Sequence, residues 1–256
     1  MKYFKKVITV IVLSIILSTI FKITVAFAAP ENNLPVFNFI KPSGNPTETA
    51  TTLQLLVALT ILSIAPSILI MMTSFIRVVI VLSFVRNGLG MQQVPPNQVL
   101  IGLALFITFF VMAPVFSDIN NNAIIPYMNQ QISTEEALKR AEKPLRDFMF
   151  KQTREKDLAL FLHYAKLQKP VNTLDDVPTY VLIPSFIISE LKTAFQMGFI
   201  IFLPFLVIDM IVASALMSMG MLMLPPIMIS LPFKILLFVM VDGWDLVIKS
   251  LIAGFH

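Results

Sequence analysis

Five ionisable side chains sit in stretches of this sequence that are otherwise almost wholly apolar: Arg77, Glu190, Lys192, Asp209 and Lys234. Placing a charge in hydrocarbon costs about 3 kcal/mol or more, so residues of this kind mark functional sites by default. The alternative is structural. Opposite charges on neighbouring helices, Asp209 and Lys234 for instance, neutralise one another and fix the helices without touching a substrate. On either reading a lone charge facing lipid is unfavourable, and the helices that carry these residues are expected to pack on protein or border wet cavities.

The second chemistry-bearing pattern is a methionine run. Met217, Met219, Met221 and Met223 recur at every second residue around Gly220, and Met228 follows after Pro225-Pro226. Methionine is unbranched and polarisable, so it fills irregular gaps and repacks as its neighbours move. Gly220 and the two prolines argue for a loop. Three readings stay open: a ring of such loops from several subunits sealing a pore, a hydrophobic turn dipping into lipid, or a thioether site for Cu(I). The chain has no cysteine, and its two histidines, His163 and His256, lie elsewhere.

Motifs for enzymatic chemistry are missing from the sequence. It has no HExxH, GxSxG or Walker A pattern and no paired carboxylates in a polar context, and Gly88-Leu89-Gly90 is too short for a dinucleotide site. His163, on an amphipathic stretch, reads as a surface or packing residue. Neither an enzyme nor a cofactor or metal is expected. The net charge of +4 is scattered, with no basic run interleaved with aromatics, so nucleic acid is not an expected partner.

The elements that must position these residues are those of a membrane protein. Of 256 residues, 57% are hydrophobic and 13% charged, and the mean hydropathy is +0.83; a soluble domain carries about 25% charge. Residues 1–28 read as a signal peptide: Lys2, Lys5 and Lys6, an apolar stretch, then Ala26-Phe27-Ala28. Residues 29–52, rich in proline, read as an extended linker. Thr49 to Ile76 and Asn87 to Ser117 hold no charge, and each exceeds the ~20 residues that span a bilayer core. They are expected to form a first helical hairpin over residues 53–116, with Gly88 as a helix C-cap and Val94-Pro95-Pro96-Asn97 as the tight connection.

Residues 117–180 differ in kind, because 18 of the chain's 34 charged residues fall between Asp118 and Tyr180. Ser133-x-x-Glu136 is a capping box opening an amphipathic helix that Pro144 should kink, and a second such helix is expected from about Thr153 to Leu167. This is a small soluble helical insert. Residues 181–256 turn apolar again, with helices expected at about Pro184 to Leu216 and Ile227 to Ile252 around the methionine loop. Pro66, Pro114, Pro204 and Pro232 favour bending within these apolar helices. The expected fold is therefore all-α: a multi-helix integral membrane protein of kinked long hairpins. A cleaved signal and four following apolar helices put the insert and the C-terminus in the periplasm.

Four segments carry a resemblance. They are Met71-Met72-Thr73-Ser74-Phe75-Ile76-Arg77 through Pro95-Pro96-Asn97-Gln98-Val99-Leu100; Thr108-Phe109-Phe110-Val111-Met112-Ala113-Pro114; Pro184 through Gly198 with Glu190-Leu191-Lys192; and Pro204-Phe205-Leu206-Val207-Ile208-Asp209 followed by the methionine loop, Pro232-Phe233-Lys234 and Val241-Asp242-Gly243-Trp244. In this order they resemble the FliP/SctR family from about Leu53 to the C-terminus, with Ser185 where the family has alanine. The resemblance implies a core subunit of the flagellar type III export gate in the bacterial inner membrane, within the flagellar basal body. It implies a five-membered homo-oligomer assembled with FliQ and FliR and meeting an FlhB-type switch protein. Unfolded flagellar proteins would pass through this conduit, with Met217, Met219, Met221 and Met223 as the gasket of the pore. It further implies that Arg77, Glu190, Lys192, Asp209 and Lys234 act in assembly. The rivals are a small-molecule or metal transporter, for which the methionine run is the sole support, and a scaffold that conducts nothing.

Overall fold

A computed structural model describes residues 46–91, 93–167, 171–221 and 223–255 of the chain. The expected signal peptide and the linker up to residue 45 lie outside the described residues. Among the described residues every regular element is a helix. These residues divide into a unit ending at Ser63 and a unit running from Ile64 onward.

The first helix, α1 (Pro46–Met71), begins inside the stretch expected to be linker. Proline is tolerated at the first helical position, where its missing N–H would be unpaired anyway. Leu56, Leu59 and Leu62 of α1 are exposed. The chargeless run to Ile76 is not one helix. It breaks at Met72–Ser74, where the Thr73 hydroxyl donates to the Ile70 carbonyl at 3.3 Å and accepts from the Phe75 N–H at 3.5 Å. Such local side-chain bonds compete with the helical ladder.

The core of the second unit is built around α2 (Phe75–Gly88), which packs against α3 (Asn97–Ile119) and α7 (Thr179–Ser218). Val78, Val81, Leu82 and Val85 recur at helical spacing and are fully buried. Leu100, Ala104, Ile107 and Val111 face them from α3, and Leu182, Phe186 and Ala194 from α7. The glycine that stops α2 is not Gly88 but Gly90, at φ +78°. The Gly90 N–H bonds the Asn87 carbonyl at 3.0 Å and the Met91 N–H bonds the Arg86 carbonyl at 3.3 Å, the two bonds of a Schellman closure. Gly88 serves packing instead, since a Cβ there would come within 2.6 Å of the Phe205 ring. Arg86 reaches across the connection to donate to Asn97 Oδ1 at 2.6 Å.

Beyond α3 comes a turn of π-helix (Asn120–Ile124) and the short α4 (Ile125–Met128). The charged region then forms α5 (Thr134–Gln152), α6 (Glu155–Tyr164) and a 3₁₀ turn (Leu174–Asp176). Ser133 Oγ accepts the Glu136 N–H at 3.2 Å, while the Glu136 carboxylate pairs with Arg140 at 2.9 Å. A complete capping box is found at Thr173 and Asp176.

The last apolar stretch is two helices, not one: α8 (Pro226–Met240) and α9 (Gly243–Ala253). The break falls at Asp242, which adopts left-handed backbone at φ 51°, a conformation aspartate tolerates better than most residues. Gly243 then leaves room for the Phe238 ring, which would lie 2.3 Å from a Cβ. Among the described residues two helical runs are long and apolar enough to cross a membrane, Asn97–Met128 and Thr179–Ser218, with mean hydropathies of 2.6 and 2.5.

Candidate functional site: a methionine turn on an ion-paired helix

The 40-residue helix α7 carries Glu190, Lys192 and Asp209, and each is paired with a different element of the chain. Glu190 and Lys192 are two positions apart, so they project about 200° apart around the helix and meet different neighbours.

Glu190 meets Arg77 of α2, and both side chains are buried. Arg77 Nε donates to Glu190 Oε2 at 2.9 Å and its Nη2 donates to Oε1, a fork-to-fork geometry. Nη2 also donates to Gln152 Oε1 at 2.9 Å, Nη1 donates to the Gly254 carbonyl at 2.7 Å, and the guanidinium carbon stands 3.9 Å from the centre of the Phe255 ring. One guanidinium therefore joins α2, α5, α7 and the residues after α9. A buried pair of this kind adds little net stability, but losing one partner strands the other at about 3–5 kcal/mol.

Lys192 pairs with Asp157 of α6. Ser189, one turn back on the same face, donates to the other carboxylate oxygen at 2.9 Å and accepts the Arg154 N–H at 3.0 Å. Burial pushes the Asp157 carboxyl up, but the hydrogen bonds from Lys192 and Ser189 and the charges of Lys192 and Arg154 outweigh it, holding the pKa below its ordinary value. Arg154 adds bonds to Thr193 at 3.2 Å and Gln196 at 2.6 Å. α6 is thus bolted to α7 through polar groups as well as through Leu158, Phe161 and Leu162.

Asp209 pairs with Lys234 of α8 at 2.6 Å, the pairing expected from the sequence, and also accepts from Ser230 Oγ at 2.5 Å. The two partners differ in environment: the Lys234 side chain is 3% exposed and that of Asp209 28%. Ser185 donates to the Val181 carbonyl at 2.7 Å, so its buried hydroxyl is satisfied.

The methionine turn begins where α7 ends. Gly220, at φ +74°, donates to the Met217 carbonyl at 3.1 Å, and the Met221 N–H donates to the Leu216 carbonyl at 3.0 Å. This is a second Schellman closure, and the left-handed residue it needs is the glycine. Pro225-Pro226 then opens α8, with Pro226 at its first position. Met217, Met219 and Met221 are about half exposed and Met223 almost wholly so, at 97%. The backbone from Leu216 to Met221 is fixed by hydrogen bonds, while the thioether side chains of Met217, Met219, Met221 and Met223 lie uncovered by the other described residues.

Sequence reasoning found the five charges and the four methionines but missed the partners Asp157, Gln152, Ser230 and Phe255. Asp157 stood among 18 charges in the insert. Its one distinguishing sign is its register, four residues before Phe161 on the stripe that α6 turns inward.

A model described as the FliP family matches residues 58–251, a span that holds all five charges and the whole methionine turn. The chain is similar to the flagellar biosynthetic protein FliP of Bacillus subtilis (strain 168), with 62% identity over 213 residues, 83% of this chain and 96% of that protein. It is 53% identical over 215 residues to the protein of that name from Pectobacterium carotovorum subsp. carotovorum, covering 84% of this chain and 83% of the relative. It is 52% identical over 206 residues to the one from Aquifex aeolicus (strain VF5), covering 80% and 86%.

Proposed function

Since this chain belongs to the FliP family, we propose that it is a core subunit of the flagellar type III export gate in the bacterial inner membrane. In this reading several copies, five by the family's pattern, assemble with FliQ and FliR and meet an FlhB-type switch protein. Unfolded flagellar proteins pass through the resulting conduit, with the charged insert on the periplasmic side. Met217, Met219, Met221 and Met223 form the seal. Arg77, Glu190, Lys192, Asp209 and Lys234 hold each subunit in the shape that the assembly requires.

The observation that carries this reading is the methionine turn. A seal must exclude ions at rest and yield to polypeptides of any side-chain composition. Rigid branched side chains would pack well in one state only, whereas uncovered thioether chains on a hydrogen-bonded backbone repack at little cost. The second half of α7 supports the same reading. Phe199, Ile200, Val207, Met210 and Ile211 are apolar and exposed, so they need covering by other subunits or by lipid.

The test is the quadruple variant Met217→Ala/Met219→Ala/Met221→Ala/Met223→Ala in cells that also express the partner subunits. Assembly is expected to persist while membrane conductance to small ions rises severalfold. An assembled complex that stays as tight as the parent refutes the seal. If copper titration then shows thioether ligation by the turn, the metal-transporter reading replaces it.

A further inference from the structure

The methionines of this chain differ sharply in environment. Met72, Met112 and Met149 are buried in the core of the second unit. Met217, Met219, Met221 and Met223, with Met228 in the first turn of α8, are exposed. Five of the 15 methionines lie within residues 217–228, so one short segment concentrates the thioether sulfur of the chain. Neither a charge nor an aromatic ring stands between Leu216 and Met228, and Ser218 is the sole polar side chain there. The thioethers are therefore the groups of this segment that an oxidant can change.

We propose that the methionine turn is a site of reversible oxidation, at which hydroperoxides convert the thioethers to sulfoxides before the subunit joins its assembly. The inference rests on the reading of the turn as a seal. In the reaction a lone pair of the methionine Sδ attacks one peroxide oxygen, and the O–O bond breaks as the S–O bond forms. The proton on the transferred oxygen passes to the departing hydroxide and leaves water, so the sulfur is oxidised by two electrons and the peroxide reduced. Exposure makes Met223 the first target and leaves the core methionines spared. The product replaces a flexible apolar side chain by a polar one. Its oxygen finds no local donor: the Ser218 hydroxyl already donates to the Ala215 carbonyl at 2.8 Å, and the Gly220 and Met221 N–H groups are committed to the Schellman closure. A polar oxygen pressed among apolar side chains without a hydrogen bond is costly, so each sulfoxide keeps its hydration, and water held at a seal is a path for ions. The unassembled subunit is the vulnerable form, because packing into a seal covers the sulfurs that the chain alone leaves open.

The experiment exposes the full-length protein, alone in detergent and within the co-expressed complex, to hydrogen peroxide, while peptide mass spectrometry follows the gain of one oxygen at each methionine. In the protein alone Met217, Met219, Met221 and Met223 are expected to oxidise about tenfold faster than Met112 and Met149, and about tenfold faster than the same four residues in the complex. In cells that make this subunit first, a peroxide pulse before the partner subunits are induced should raise the ion conductance of the assembled gate severalfold. Co-expressed methionine sulfoxide reductases for both epimers should reverse that rise. Met128→Leu/Met240→Leu, which removes two exposed methionines outside the turn, should leave it unchanged. Oxidation of the turn at the rate of the core methionines, or equally fast alone and in the complex, overturns the proposal. So does a leak that the reductases do not reverse or that the double leucine variant abolishes. A gate oxidised at the turn yet as tight as the untreated one also overturns it, and the quadruple alanine variant then tells which reading has failed: if that variant leaks, the seal stands and the oxidation site falls alone.

Discussion

The Asp209–Lys234 pair is lopsided in its surroundings, and that decides how it responds to truncation. Asp209→Ala leaves an ammonium that is 3% exposed with no acceptor, a loss of about 3–5 kcal/mol. Lys234→Ala leaves a carboxylate that is 28% exposed and still bonded to Ser230, a loss of about 1–3 kcal/mol. Thermal denaturation of the extracted oligomer should therefore show the larger drop for Asp209→Ala, and equal drops would contradict the assigned burial. At this scale the sequence was informative wherever a charge stood alone in an apolar stretch, because only a partner makes such a charge tolerable; Asp209 and Lys234 could be matched on that basis. It was silent on Asp157 and Gln152, which lie in a region where polar residues are common and a buried one looks like its neighbours. It was also silent on the Gly254 carbonyl and the Phe255 ring, since a backbone acceptor and an aromatic face leave no mark in a charge pattern.

Helices were legible from length and polarity, but their interruptions were not. The run from Thr49 to Ile76 lacks a strong breaker where its helix stops, and in the run from Ile227 to Ile252 the breaker, Asp242-Gly243, sits inside a stretch apolar enough to be read as one helix. The break at Met72–Ser74 comes from hydroxyl bonds of Thr73, and the break at Asp242 from one residue's left-handed backbone. How close the helices approach depends on glycines whose purpose is visible only in three dimensions. A Cβ on Gly198 of α7 would lie 2.5 Å from Cγ and 3.0 Å from Cβ of Phe84, the root of a side chain on α2 that cannot swing aside. Gly102 of α3 has nothing within 4 Å of the same point. Gly198→Ala should thus destabilise the protein by about 1–3 kcal/mol through overpacking, whereas Gly102→Ala should stabilise it by up to about 1 kcal/mol through helix propensity. Chemical denaturation of the two variants checks this, and a stabilising Gly198→Ala would refute the close approach of α2 and α7.

Taken whole, the described residues leave apolar surface that they do not cover among themselves. Phe106, Phe109 and Phe110 on α3 are 60–77% exposed. The first half of α7 is buried along a stripe from Val181 to Gly198, but of the residues after it only Phe205 and Leu216 are buried. Co-expression with FliQ and FliR, followed by native mass spectrometry, should return a discrete hetero-oligomer holding several copies of this chain. A monomer or simple dimer retaining neither partner would argue against the export-gate reading. The division of α7 also has a mechanical meaning. The stretch from Phe205, which still packs on Gly88, to Ser218 is an arm of about 20 Å, at 1.5 Å per residue, bearing the methionines at its tip beyond the helix half held by Arg77 and Asp157. A rotation of about 6° at its root sweeps the tip through about 2 Å over such an arm. Pro204 stands at that root, where its ring leaves the Ile200 carbonyl without its helical donor and favours bending.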